Sequence, residues 1–357
     1  MSRKTTETML TRNQNQLYGF VAQRGKAAYY SERFQGDQSN HYDGAIPIED
    51  IKSRLFNWQA VSRRVAVELP ATAKTMDHIG DDGHMLRWTV QDDRQAIVRS
   101  DTFGVMELFK KGYAPHQYAE WLIGVLSNIV GDTLAPAAAG VLRDGALAYL
   151  QIEAPENIAT PEGVDFRPSI LSGTSFDGKV ATFYKPVFTV LRCDNQFESL
   201  RKNTLTATYK VKHSRNSQLK IEDARAALGI IEQQADEFAD EIKALCATIV
   251  TDRQFTAFLE GLAPTVKDNE KLTGRALTMA TNKQDTLRRL WVRDDRVSLW
   301  KNTAFGVVQA VNTYTHHEQT VKGASRAERN MINTVNGATA KTDNEALDLL
   351  GKILANA

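Results

Sequence analysis

The spacing of hydrophobic positions changes twice along the chain. Residues 1–41 are polar, carry five glutamines (Gln14, Gln16, Gln23, Gln35, Gln38) and show little periodicity, so they read as an N-terminal arm. A-I-P-I-E-D-I-K-S-R-L-F-N-W then places Ile48, Ile51, Leu55 and Trp58 on one helical stripe. Pro47 suits the first turn, and Glu49 and Asp50 suit its positive end. Between Val61 and His213 the pattern shortens to strands. R-V-A-V-E-L, H-M-L-R-W-T-V, Q-A-I-V-R-S, A-L-A-Y-L-Q-I-E, S-I-L-S-G-T-S-F, A-T-F-Y-K-P-V-F-T-V-L-R-C and T-A-T-Y-K-V-K-H are rich in β-formers, with turn signals at G-D-D-G-H and Asp177-Gly178. A helix over Pro115–Val130, with Trp121, Leu122, Val125, Leu126 and Ile129 on its core face, interrupts them. Beyond Ile221 the period is helical: one long helix or hairpin over 221–261, a charged linker, then helices at about 275–293, 303–318 and 343–355. Consecutive strands around few helices predict an α+β fold with an antiparallel, strand-rich basic core and a C-terminal helical region. The expected division is an arm over 1–41, a core domain over 42–262 and a helical region over 263–357.

Composition narrows this little. A chain of 357 residues with 42% hydrophobic content is long enough for one sizeable core. Cys193 and Cys246 are the two cysteines, which excludes a disulfide framework and any Cys-x-x-Cys pair. With no apolar leader at the N-terminus, and Trp121–Val130 too short to span a bilayer, the expected setting is cytoplasmic, with no membrane partner.

Net charge is +1, yet the charge is divided. From Lys179 to Lys220 nine bases (Lys179, Lys185, Arg192, Arg201, Lys202, Lys210, Lys212, Arg215, Lys220) face two acids, Asp194 and Glu198, a balance of +7. From Glu222 to Glu260 nine acids face three bases, a balance of −6. In T-Y-K-V-K-H-S, alternation sets Tyr209, Val211 and His213 on one strand face and Lys210 and Lys212 on the other. Paired outward lysines suit a phosphate backbone, and Tyr184, Phe188, Phe197 and Tyr209 are near enough in sequence to stack bases. The alternative is a basic sheet face covered by the acidic helix of the same fold. Both readings stay open at this point.

Other candidates are weaker. G-T-S-F-D-G-K-V, Gly173–Val180, follows the phosphate-loop pattern until its last position, where Val180 lacks the hydroxyl that holds magnesium; a hairpin turn at Asp177-Gly178 fits better. Asp50-Ile51-Lys52 and Glu241-Ile242-Lys243 are acid-x-Lys triplets of the kind metal-dependent nucleases use, but both fall on helices and read as solvated faces. His316 and His317 are adjacent, about 100° apart on a helix, and Val321 stands where a zinc pair needs its second histidine. Lys322, Arg326 and Arg329 follow as an accessory basic patch.

Several motifs together carry a resemblance. Y-D-G-A-I-P (Tyr42–Pro47), S-F-D-G-K-V-A-T, R-C-D-N-Q-F, V-K-H-S-R-N-S and A-F-G-V-V-Q-A-V-N-T-Y-T-H-H resemble the phage/plasmid-like protein family of bacteriophages, prophages and plasmids, over about residues 42–335. The family's S-x-D-G-S-x-A matches Ser175, Asp177, Gly178 and Ala181, with Lys179 where Ser is common. Its Val-Cys-x-Asn-Thr-Leu matches Cys193 and Asn195, with Gln196 and Phe197 replacing Thr-Leu. Its basic-His-Thr/Ser motif is Lys212, His213 and Ser214. At the level of fold, the basic strand-rich core resembles single-strand annealing phage recombinases. That resemblance implies a non-enzymatic homo-oligomer, ring or filament, which holds single-stranded DNA in the bacterial host and works without ATP or another cofactor, beside a phage exonuclease. Two alternatives remain: an enzyme acting on nucleic acid or a nucleotide through Asp177, Asn195 and His213, and a structural or host-interaction phage protein.

Overall fold

The computed structural model describes residues 15–21, 26–27, 40–69, 78–79, 85–86, 88–126, 135–154, 156–191, 195–198, 208–214, 217, 231–267, 270–322 and 325–356. In chain order, the strands of three or more residues in its two larger sheets are β1 (Gln16–Val21), β2 (Ala60–Arg63), β3 (Arg94–Arg99), β4 (Val105–Lys110), β5 (Ala135–Leu142), β6 (Leu147–Glu153), β7 (Asp165–Ser175), β8 (Thr182–Val190), β9 (Asn195–Phe197) and β10 (Tyr209–Val211). The helices are α1 (Ile48–Arg54), α2 (Ile231–Ala247), α3 (Asp252–Leu262), α4 (Gly274–Arg293), α5 (Ala304–Thr313), α6 (Arg326–Val335) and α7 (Ala338–Ala355). The fold is α+β.

The main sheet runs β9-β8-β7-β6-β5-β1, with β10 also paired to β8. These pairs are all antiparallel. Successive residues on a strand point to opposite faces, and here both faces are covered. Leu17, Leu150, Ile170 and Tyr184 meet Ile51 of α1, Leu55 just after it, and Trp121 and Leu122 of a π-helical turn, Ala119–Gly124. Their neighbours Tyr18, Tyr149, Leu171 and Phe183 meet Met331 and Val335 of α6. At the far end Phe166, Phe188 and Phe197 pack on Phe238 of α2, with the Phe188 and Phe238 rings stacked at 4.4 Å. Burial of each such ring stabilises by about 2–3 kcal/mol. All nine residues of β8 are buried. The acidic helix α2 thus covers part of the basic segment through aromatic contacts, and β8 presents no open face on which a groove could form.

The structure refines several sequence expectations. Part of the expected arm is a strand: Gln16, Leu17 and Tyr18 pair with Gly140, Ala139 and Ala138, and Leu17 and Tyr18 are buried. Of the long helix or hairpin expected over 221–261, the described residues form two helices, α2 and α3. Thr251 caps α3 in a reciprocal capping box with Gln254 and so restarts the helix. The boundary at 262–263 crosses one cluster, because Phe255, Phe258 and Leu259 of α3 pack with Leu287, Leu290 and Trp291 of α4 and Ala346 and Leu350 of α7. Ile48, placed on the buried stripe, is exposed.

A small sheet, β4-β3-β2, flanks the main one. A bulge between Val105 and Glu107 turns Met106 and Phe109 both toward the core. Among the described residues, no helix is long and apolar enough to cross a membrane.

Candidate functional site

The β7–β8 hairpin organises the best-defined polar site. Gly173↔Phe183 and Ser172↔Tyr184 fix its register, and Gly178 takes φ +70° in the turn. A side chain there would be strained, and its Cβ would also lie 3.0 Å from the Phe109 ring. The phosphate-loop resemblance is therefore a hairpin. Asp177 accepts from the Lys179 backbone N–H at 3.1 Å and from Arg143 Nη1 at 3.1 Å, and lies 3.4 Å from Lys179 Nζ. Burial works to raise its carboxyl, but the Lys179 N–H, the Ser175 hydroxyl and Arg143 outweigh it and hold the group below the usual range.

Beside the hairpin stands a column of five rings. Phe109 stacks on Tyr113 at 3.7 Å and 7°, Tyr113 on His213 at 5.0 Å, His213 on His116 at 4.2 Å, and His116 on Trp121 at 3.6 Å. Two threonines bridge its imidazoles. His116 Nδ1 meets Thr182 Oγ1 at 2.6 Å, Thr182 meets Thr174 Oγ1 at 2.7 Å, and Thr174 meets His213 Nε2 at 3.0 Å. Each hydroxyl carries one proton, so satisfying all these contacts sends the bonds in a single direction along the row. The two outer nitrogens, His116 Nε2 and His213 Nδ1, are buried and lack partners among the described residues. One is then a donor and the other an acceptor. Burial lowers His116 to about 3, with His213 as the second cause, and burial lowers His213 to about 4. Both are neutral at physiological pH.

β10 alternates as its sequence predicts. Val211 is buried, Tyr209 and His213 are half-buried and inward, and Lys210 and Lys212 are exposed. Among the described residues neither lysine has a carboxylate partner, and Lys179 is exposed at 65%. Other expected contacts move inward. Lys185 is buried, donating to Glu198 Oε1 at 2.6 Å and to the Thr334 carbonyl at 2.7 Å. Burial lowers its pKa, and Glu198 opposes that shift. His213 belongs to the column rather than to a phosphate contact. Tyr184, Phe188 and Phe197 are core rings with no free face for a base. Arg192, Cys193, Arg201, Lys202, Arg215 and Lys220 lie outside the described residues.

Asp177 and His213 share the hairpin end of β8, near Thr182. Asn195 pairs with Val190 at the other end, about 26 Å away for eight residues of strand (182 to 190). No single active site holds all three. Asn195 is instead buried with the adjacent-histidine stretch: it donates to Thr313 Oγ1 at 2.9 Å and meets His317 Nε2 at 3.0 Å. His316 turns inward, its Nδ1 3.0 Å from the Asn312 carbonyl. Asn312 in turn donates to the fully buried Asp343 at 2.8 Å. Arg326 and Arg329 do not form an open patch. Arg326 donates to the His316 and Gln319 carbonyls and Arg329 to the Thr315 carbonyl and Gln319 Oε1, closing the end of the π-helical turn Tyr314–Glu318. Lys322 is exposed. Among the described residues, no three His, Cys, Asp or Glu side chains are grouped as a metal site.

Sequence reasoning missed Arg143, Phe109, Tyr113, His116, Thr174 and Thr182. They come from four separate segments, and no local spacing joins them. The profile of a domain of unknown function (DUF932) matches residues 105–343, two thirds of the chain. The chain belongs to the DUF932 family. Comparison with curated proteins and with solved structures gives no match. The DUF932 span opens at β4 and closes at Asp343, so it contains the whole ring column, the hairpin and the Asn195–His317 network, while β1 and α1 lie outside it.

Proposed function

We propose that this DUF932 protein binds single-stranded DNA by its backbone, at the edge of the main sheet rather than in a groove on its face. The observation that carries this reading is strand β10 and the residue after it, where alternation leaves Lys210 and Lys212 outward and, among the described residues, without carboxylate partners, with Lys179 exposed at the hairpin tip. An edge lined with lysines repels other strand edges and attracts phosphates. Resemblance to the phage/plasmid-like proteins extends the proposal to an annealing role in phage recombination, as a ring or filament acting without ATP in the host cytoplasm. The enzyme alternative through Asp177, Asn195 and His213 loses its support, because Asn195 stands apart from the other two.

The test is a titration of labelled oligodeoxythymidylate at two salt concentrations. Affinity should fall steeply as salt rises. Lys210→Glu with Lys212→Glu should weaken binding and flatten the log–log salt slope by about 1.4, two contacts at about 0.7 each. No binding by the wild type at low salt ends the reading. Binding unchanged in the double variant moves the interface elsewhere.

A further inference from the structure

The outer end of the ring column joins two features that the charge count along the chain keeps apart. Phe109 ends the column, with one face on Tyr113 and its edge against Gly178, and both Phe109 and Tyr113 stay partly exposed. The rings are held from behind: Tyr113 donates to the Ser175 carbonyl at 3.3 Å, and the inner end rests on buried Trp121. An aromatic surface fixed in this way loses little freedom when something stacks on it. Exposed lysines stand next in the chain to its members on three segments: Lys110 and Lys111 follow Phe109, Lys179 follows Gly178, and Lys212 precedes His213. The acids beside them are already engaged. Asp177 is held by Arg143, Asp93 lies 3.5 Å from Arg94, and Glu107 accepts from the Leu108 N–H.

We propose that this end of the column seats one nucleobase of a single-stranded nucleic acid, stacked on Phe109, with Lys110, Lys111, Lys179 and Lys212 taking the flanking phosphates. A fixed ring beside exposed cations, of which Lys110, Lys111 and Lys212 have no carboxylate partner among the described residues, is the arrangement that sequence-tolerant single-strand binding uses, because every base has a π-face and every linkage a charge. The inference rests on the nucleic-acid reading above and adds Phe109, Lys110 and Lys111 to it.

The probe is oligodeoxythymidylate carrying one 2-aminopurine, followed by anisotropy for affinity and by quenching of the 2-aminopurine for stacking. Phe109→Leu should bind about 5- to 150-fold more weakly and lose the quenching, from about 1–3 kcal/mol per stacked base. Phe109→Tyr should retain both. Lys110→Glu with Lys111→Glu, two exposed positions that spare the core if Phe109→Leu does not fold, should lower affinity and flatten the salt slope. Wild-type affinity and quenching in Phe109→Leu, or wild-type affinity in the Lys110/Lys111 variant, overturns the seat. If Lys210→Glu/Lys212→Glu still weakens binding in that case, the broader DNA reading survives without it. A wild type that binds polyglutamate but no oligonucleotide overturns both.

Discussion

Replacing His116 by Phe should reverse the order of stability between pH 7 and pH 5. In the native protein His116 lies between Trp121 and His213, is 2% exposed, and is lowered by burial to about 3. In the unfolded chain it titrates near 6.5. A folded-state value below the unfolded one means that the contribution is intact above about pH 6.5 and is lost as pH falls toward the folded value. At pH 7 the loss is about 0.2 kcal/mol and at pH 5 about 2.1 kcal/mol, so acidification over this window removes about 1.9 kcal/mol through this one ring. Phenylalanine keeps the stack and does not titrate. Its cost is the hydrogen bond to Thr182, about 1 kcal/mol, softened because Thr182 retains Thr174 and His213. The variant should therefore be about 1 kcal/mol less stable at pH 7 and about 1 kcal/mol more stable at pH 5. Urea unfolding at both values, with m unchanged, reads the difference. The comparison cancels Asp343, whose carboxyl is raised by complete burial and by Glu198 and acts with the opposite sign in both proteins. A constant gap between wild type and variant across the two pH values would show that His116 titrates in the folded protein as it does in the unfolded chain, and that burial in the column does not hold it neutral.

Three further outcomes follow from buried contacts. Lys185→Ala leaves Glu198 and the Thr334 carbonyl without their shared donor and should cost about 3–5 kcal/mol in chemical denaturation, whereas Lys185→Met with Glu198→Gln should cost clearly less. Gly173→Ala brings a Cβ to 2.7 Å from the Phe183 ring and 3.2 Å from the Ala148 carbonyl and should destabilise by about 1–3 kcal/mol, with partial recovery on adding Phe183→Leu. Arg329→Gln should lower stability by about 1 kcal/mol through its bonds to Thr315 and Gln319 while leaving oligonucleotide affinity unchanged; a matching loss of affinity would return Arg329 to the interface.

The sequence made the strands legible where large side chains alternate or run together, as in β6, β7 and β8. It hid β5. A-P-A-A-A-G-V-L has low strand propensity and no alternation, because small residues are needed where rings from neighbouring strands press in: a Cβ on Gly140 would lie 2.7 Å from the Tyr149 ring. β1 was hidden for a related reason. Its polar Gln16 is buried by bonding to Tyr18 and Tyr149, a contact 133 residues away that no local pattern encodes. Asp177-Gly178 and the inward–outward order of Tyr209 to His213 were legible because a turn and a period-two strand are local properties.

Charge was the least legible feature, since a count along the chain treats every base as surface. Lys185 adds one unit to the basic segment, yet it is buried against Glu198 under α6. Lys110 and Lys111 lie outside that segment, yet β4 and the ring column bring them beside the hairpin. Two registers make this juxtaposition. Val211 opposite Thr182 sets Lys212 and His213 next to the β7–β8 turn. The bulge at Val105/Glu107 directs Phe109 inward onto Tyr113, where its edge meets Gly178. Shifting either strand by one residue would send His213 or Phe109 to the opposite face and dissolve the column. The grouping of these lysines is therefore a product of strand register, and the residues that set the register would control the proposed interface as firmly as the lysines themselves.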